Sequence, residues 1–568
     1  MNPVADSKPN QVEHIARALY DFFSEKEKAE FLPVLRKVLY QLVTLQIDKG
    51  RGFLTKKELD EISDTPNRLH AVGEEHENSP LVFTKTGRLY FRKYFEYEQS
   101  IAQFLNSRNE AQNQSLVEQS VPSFQEDFRS VLDDYQALAV GIGVHKNWML
   151  LSGGPGTGKT HTLVVLMTLI LKIKPELRIA LVAPTGKAAF RLQQSINHTV
   201  NNLGFPQELV SQLLSLSQSS TIHRLLGVIP GSVDFRRNKS NPLPHDLVVV
   251  DEASMIDLPL MAKLLNALKP TARLILSGDA DQLSPVQGGG VFNALVRGSE
   301  PNKFNHEDLS SLRDFSQVGE ESNALNQLTG HVVTLMKSHR HDSGEAGQNI
   351  SNLCGLIKEG NGDELVKSVR ESGAGVEFIS SFSDSRIQEF LKTGFNDFVT
   401  SEDPKEALKA LAKFRILCAH NHGKYGVEQW NTKSRSLLSF QESDFYPVVI
   451  QKNDYGVDLF NGDDGVISGE KAYFENGNGM REIAKARLPA CSDAFALSIH
   501  RSQGSEYDEV MIVLPPPEAK LLSRELLYVA VSRAKRGVVF VGDPASLVSA
   551  VNSGRGFTVR NRRVDAII

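Results

Sequence analysis

The stretch "WMLLSGGPGTGKTHTLVVLMTLIL", Trp148 to Leu171, decides the fold class. It reads as strand, loop and helix in immediate succession. Trp148 to Ser152 is a short apolar run of strand type. Gly153, Gly154, Pro155, Gly156, Thr157, Gly158, Lys159 and Thr160 form the loop, and a helix follows from near His161. This is the context a phosphate-binding P-loop requires. Its glycines let backbone N–H groups turn inward around phosphate oxygens, and the helix N-terminus adds partial positive charge. Lys159 is placed to reach the β- and γ-phosphates of ATP, and the Thr160 hydroxyl to ligate Mg²⁺. The apolar run from Leu163 to Leu171 falls well short of the ~18 residues that span a membrane, so it predicts a buried helix.

Outward from this stretch, strand-like runs recur at "RIALVAPT" (178–185), "DLVVVDEA" (246–253) and "RLILSGD" (273–279), with helical stretches between them. That alternation predicts a parallel sheet covered by helices. Similar runs return at 414–419, 494–499, 508–515 and 537–543, so a second α/β unit follows the first. A Gly- and Asp-rich segment, about 445–490, predicts a small β insertion in that second unit. The polar segments 107–123 and 315–326 read as a linker and a boundary. The expected division is 1–120, 121–315 and 316–568.

Bulk properties narrow the class. The chain has 568 residues, enough for three or four domains of ~150 residues. Net charge is −5, so any nucleic-acid contact must come from a local groove rather than from global basicity. The three cysteines, Cys354, Cys418 and Cys491, form no CxxC pair. This argues against a zinc ribbon or a disulfide framework and fits a reducing, cytoplasmic setting. The N-terminus carries no apolar signal region, and no membrane segment is expected.

Two strand ends complement the P-loop. "LVVVDEASM" delivers Asp251 and Glu252 at the carboxyl end of a buried strand, where open α/β sheets bind ligands. Asp251 suits Mg²⁺ contact, direct or through water, and Glu252 suits activation of the attacking water as general base. "LSGDADQLSPVQGG" places Asp279 and Gln282 just past another strand, where Gln282 can sense the γ-phosphate or the attacking water. These residues indicate a Mg-dependent ATPase.

Further blocks occur in order: "APTGKAA" (183–189), "STIHRLLG" (220–227), "DEASM", "GDADQLSP", "KSHRH" (337–341), "SIHRSQGSE" (498–506) and "YVAVSRAK" (528–535). The series resembles the motifs of superfamily 1 helicases of the 5′-to-3′ branch. The segment 221–261, and "PLVFTKTGRLYFRKY" (80–94), resemble the RecD family more closely. RecD is the α subunit of the RecBCD exonuclease V complex. The resemblance runs from about residue 80 to the C-terminus and is weak over 1–75 and 290–330.

The resemblance implies an α/β fold of two tandem RecA-like P-loop NTPase domains. With them come a small N-terminal α/β partner-binding domain and an SH3-like β insertion. It implies that Gln136 in "DDYQALAV" reads adenine, that Arg340 and Arg533 embrace the γ-phosphate, and that Glu506 turns back to the ribose. Guanidinium groups there would neutralise charge developing in phosphoryl transfer. Pro184, Thr185, Lys187, Thr221, His223, Ser498, His500 and Ser502 would face single-stranded DNA, with no sequence readout. Gly504 would let the chain turn tightly between the DNA and nucleotide sides.

The implied activity is an ATP-dependent 5′-to-3′ DNA helicase subunit acting on DNA ends in break repair and recombination, with RecB-like and RecC-like partners. Two other readings stay open: a stand-alone RecD-like helicase, which the short N-terminal region disfavours, and a nucleotide-gated protein-binding ATPase. The basic segment 234–240 is either an accessory hairpin or a solvated loop, and 559–563 a basic tail or packing arginines. His339 and His341 stand where the family has aromatic residues, and without further ligands they do not make a metal site. Arg501 and Tyr507 replace the usual lysine and phenylalanine.

Overall fold

The computed structural model of the chain describes residues 8–553 apart from 50, 63–68, 109–113, 204, 206, 217–218, 286–288, 324–325, 340–343, 372, 439–443, 455, 477–478 and 520. Arg340, His341 and the arginines of 559–563 therefore lie outside the described residues.

The first unit is built on six parallel strands in the order 332–335, 148–153, 273–278, 247–250, 179–183, 220–221. Side chains alternate across a strand, and both faces of this sheet are covered. Met149, Leu151, Val249 and Ile275 enter one core, while Trp148, Leu150, Val248, Val250 and Leu274 enter the other. That is why the strands read as unbroken apolar runs. The helix Lys159–Ile173 is buried along Thr162–Leu171, as its uniformly apolar sequence predicts.

The second unit repeats the plan with five parallel strands in the order 376–379, 534–541, 507–513, 414–418, 496–498. Val510, Ile512 and Phe540 face one core, and Met511, Val513 and Val539 the other. The α/β fold with tandem parallel sheets is thus as expected. Inserted between 414–418 and 496–498 is an antiparallel sheet in the order 479–484, 471–476, 464–468, 446–450, 491–493. No pairing joins its two edge strands among the described residues, so the sheet supports a β insertion without the closure an SH3-like barrel implies.

Two boundaries differ from expectation. The polar segment 107–123 is not simply a linker, because Gln114–Ser123 is a helix whose Leu116 and Val117 are buried in the first unit's core. A few apolar residues on one helix face suffice to dock a polar sequence. Helix Arg92–Arg108 also packs on the first unit, through Ile101, Phe104 and Leu105. At the other end, Val332–Leu335 pairs with Trp148–Gly153, so the first sheet extends past the expected division at 315/316. The N-terminal region folds the helices Lys8–Ser24, Leu32–Lys49 and the short Lys56–Asp60 with a four-stranded sheet around its own core of Leu35, Leu39, Leu42, Leu54 and Leu89. No helix among the described residues is long and apolar enough to cross a membrane.

Candidate nucleotide and nucleic-acid site

The carboxyl ends of the first sheet's strands face the amino ends of strands 507–513 and 534–541 of the second sheet, and the expected site residues gather at this seam. Gly156 and Gly158 of the P-loop have φ of 78° and 81°, a region that disfavours side chains. A Cβ at Gly158 would also collide with the Gln136 amide. Lys159 Nζ folds onto the loop, donating to the Gly153 carbonyl at 2.7 Å and that of Gly154 at 3.2 Å. Thr157 Oγ1 donates to the Gly154 carbonyl at 2.8 Å. Thr160 lies in the first turn of the helix Lys159–Ile173, half-buried beside the loop.

Gln136 is tied to the protein rather than presented to solvent. It belongs to a capping box with Asp133 at the start of helix Asp134–His145, and its Nε2 lies 3.2 Å from the Thr157 carbonyl. His339 joins the group: its Nε2 is 3.0 Å from Asp133 Oδ2 and 3.2 Å from Gln136 Nε2, and its backbone N–H donates to the Gly156 carbonyl at 2.8 Å. His339 thus braces the P-loop.

Asp251 follows the strand Leu247–Val250, and its Oδ1 accepts from Ser277 Oγ at 2.9 Å. Glu252 adopts a left-handed conformation, φ 52°, which a non-glycine residue tolerates only where its surroundings hold it. Burial pushes its carboxyl above the ordinary range and the Asp251 charge adds to this, while the charges of Arg533 and Lys159 oppose it. Arg533, 3% exposed, ends the helix Arg524–Ser532 of the second unit and donates through Nη1 to the Ser505 carbonyl at 3.0 Å. The P-loop lysine and an arginine of the other unit therefore act on one carboxylate. Gln282 is buried, its Nε2 is 3.3 Å from Asp279 Oδ2, and its Oε1 has no partner among the described residues. Glu506 is half-buried and pairs with Lys535 at 3.6 Å.

The residues expected on DNA fall into two groups. Ala183 pairs with Thr221, which sets Pro184 and Thr185 beside Thr221 and His223. Thr185 and Thr221 each cap a helix, accepting from the backbone N–H of Ala188 at 3.1 Å and Arg224 at 3.2 Å. The His223 ring stands edge-on to Phe235, and partial desolvation beside it lowers its pKa. Across the seam, Gly504 has φ 68°, and a Cβ there would lie 3.8 Å from Ala188 Cβ. Of the three residues expected on this turn, only His500 is exposed. Ser498 and Ser502 are buried, and the Ser502 hydroxyl donates to the Ile499 carbonyl at 2.8 Å, so the turn spends it on its own fold.

Lys187 is engaged by the insertion, with Nζ 2.6 Å from Asp464 Oδ2. Arg224 pairs with Asp458 and lies 4.7 Å over the Phe460 ring, and Arg415 approaches Asp464 at 3.9 Å. The acidic "NGDDG" of the insertion was visible in sequence, but nothing marked its cationic partners. Two further seam residues went unmarked: Tyr528, whose hydroxyl donates to Asp279 Oδ2 at 2.9 Å, and Lys358, 2.7 Å from Asp281.

Residues 136–288 match the AAA domain family, and 493–541 match the UvrD-like helicase C-terminal domain. The chain is 35% identical over 496 residues to the RecBCD enzyme subunit RecD of Mycobacterium tuberculosis, covering 82% of this chain and 77% of that protein. It is 34% identical over 513 residues to the same subunit of Haemophilus influenzae, covering 82% and 78%. It is 28% identical to the ATP-dependent RecD2 DNA helicase of Deinococcus radiodurans, covering 85% of this chain and 58% of that one. Among solved structures, the Pif1 helicase from Bacteroides with ADP-AlF3 and ssDNA matches at 18% identity and TM-score 0.37, over 74% of this chain and 91% of that one. With a third of its residues shared over most of both sequences, the chain belongs to the RecD helicase family.

Proposed function

We propose that this RecD-family helicase binds ATP at the seam between its parallel sheets and moves 5′ to 3′ on single-stranded DNA. One observation carries the reading: Glu252 and the P-loop lysine on the first unit face Arg533 on the second. A nucleotide held there contacts both units, so its hydrolysis changes how they close. Lys159 holds the β- and γ-phosphates, and Glu252 takes the proton of the attacking water. Its upward-shifted carboxyl is the better proton acceptor. Gln282 contacts the γ-phosphate, Arg533 and Arg340 neutralise the developing charge, and Gln136 and Glu506 bound the nucleoside.

Thr160 and Asp251 offer only oxygen donors, and no cluster of three His, Cys, Asp or Glu forms a closed metal cage among the described residues. That set fits Mg²⁺, which keeps waters and shares phosphate oxygens, and which would neutralise phosphate charge when bound. DNA lies along Pro184, Thr185, Lys187, Thr221, His223 and His500, with the insertion alongside. The first unit takes in the helices Arg92–Arg108 and Gln114–Ser123, and the second begins after 335. The RecD relatives are named as RecBCD subunits, which supports RecB-like and RecC-like partners. Docking of those partners through the N-terminal region, action on DNA ends and a cytoplasmic location complete this reading.

The test is ATP turnover with and without single-stranded DNA. Stimulation by DNA and its loss in Lys159→Ala are expected, together with unwinding that needs a 5′ tail. Turnover retained in Lys159→Ala would remove the P-loop assignment, and preference for a 3′ tail would reverse the polarity.

A further inference from the structure

Among the described residues, Tyr528 and Lys358 of the second unit reach the P-loop alongside His339. Tyr528 lies on the helix Arg524–Ser532, five residues before Arg533, and is 1% exposed. Its hydroxyl donates to Asp279 Oδ2 at 2.9 Å. Lys358, on the helix Gly344–Glu359, pairs with Asp281 at 2.7 Å, and its Nζ lies 4.8 Å over the Tyr528 ring. Both approach the P-loop: a Cβ built at Gly154 would lie 3.4 Å from Tyr528 Oη and 3.9 Å from Lys358 Nζ.

Asp279 links this contact to the γ-phosphate sensor. The same Oδ2 that accepts from Tyr528 is 3.3 Å from Gln282 Nε2, and Asp279 Oδ1 accepts from the Asp281 N–H at 3.0 Å. Gln282 Oε1, buried and without a partner among the described residues, is the end of the amide left for other work. A buried hydroxyl is costly unless it is hydrogen-bonded. Tyr528 finds its acceptor on the other unit, so this bond exists only when the seam is closed. Burial, reinforced by the Asp279 charge, raises the phenol well above its ordinary value, so it remains a donor.

We propose that Tyr528 is a positioning residue for ATP hydrolysis: on closure its hydroxyl fixes Asp279, and Asp279 aims the Gln282 amide at the reacting phosphate. This rests on the reading of Gln282 as γ-phosphate sensor. Lys358 holds the same loop through Asp281, so the two contacts register one unit on the other at the P-loop.

Tyr528→Phe tests the idea, because it keeps the ring and its packing and removes only the hydroxyl. The assay is DNA-stimulated ATP turnover by the full chain, with any subunits that co-purify. Loss of one transition-state contact predicts kcat about tenfold lower with KM for ATP little changed. The melting temperature should stay near that of the wild type, and adding Tyr528→Phe to Gln282→Ala should produce no further loss. If Gln282→Ala slows turnover but Tyr528→Phe does not, or if the two losses multiply, Tyr528 does not act through Gln282 and the proposal fails. If Gln282→Ala keeps full turnover, the sensor reading fails and takes the proposal with it.

Discussion

Replacing Asp464 by Asn removes the carboxylate that pairs with Lys187 across the units and with Arg415 within the second. Asp464 Oδ2 lies 2.6 Å from Lys187 Nζ, and Oδ1 lies 3.9 Å from Arg415 Nη2. The three side chains are 20%, 12% and 1% exposed. Burial pushes the carboxyl up, but the charges of Lys187 and Arg415 outweigh it and hold it below the ordinary range. Asparagine keeps the size, so no cavity forms and only the charge is lost. Removing one partner of a buried pair costs ~3–5 kcal/mol, because the other charge is left uncompensated. Water reaches this pair in part, which lowers the expected loss to ~2–3 kcal/mol.

Asp458→Asn is the comparison. Its pair with Arg224 is 46% and 49% exposed, and such pairs contribute ~0–1 kcal/mol. Urea unfolding followed by tryptophan fluorescence reads both variants, since Trp430 shares a core with Val466 of the insertion. The pH dependence has a definite sign. A carboxyl lowered in the folded state contributes above its unfolded value of ~3.9 and loses that contribution as pH falls through the folded one. The gap between wild type and Asp464→Asn should therefore close in acid. A loss no larger than that of Asp458→Asn, or one that persists in acid, would refute the reasoning.

Two other outcomes are expected. Glu252→Gln should abolish turnover while a fluorescent nucleotide analogue still binds. Asp308, fully buried, lies 2.7 Å from Lys146 Nζ and 3.0 Å from His145 Nε2. Asp308→Ala should cost ~3–5 kcal/mol in urea unfolding by stranding the Lys146 charge.

The legible parts of this molecule were those whose signal is local. Strands 148–153 and 247–250 are apolar on both faces because helices cover both, and a buried parallel strand carries that mark wherever it occurs. Gly156 and Gly158 of the P-loop occupy left-handed backbone next to a helix start, a need written into neighbouring residues. Gln114–Ser123 was harder, because its docking face is a small apolar minority within a polar segment.

The sequence by itself determined two parallel-sheet units, the P-loop with its strand-end carboxylates, and the order of the motif blocks. Each depends on spacing along the chain, which backbone geometry translates directly into position. Only the tertiary structure decided which charges meet. Lys187 and Asp464 are 277 residues apart, and Tyr528 and Asp279 are 249 apart. It also turned Ser502 inward and fastened Gln136 to the cap and the P-loop. Hydroxyls, amides and carboxylates look alike in sequence whether they face a ligand, another unit or their own turn. Their roles are set by what covers them, and that is decided where the two sheets close on each other.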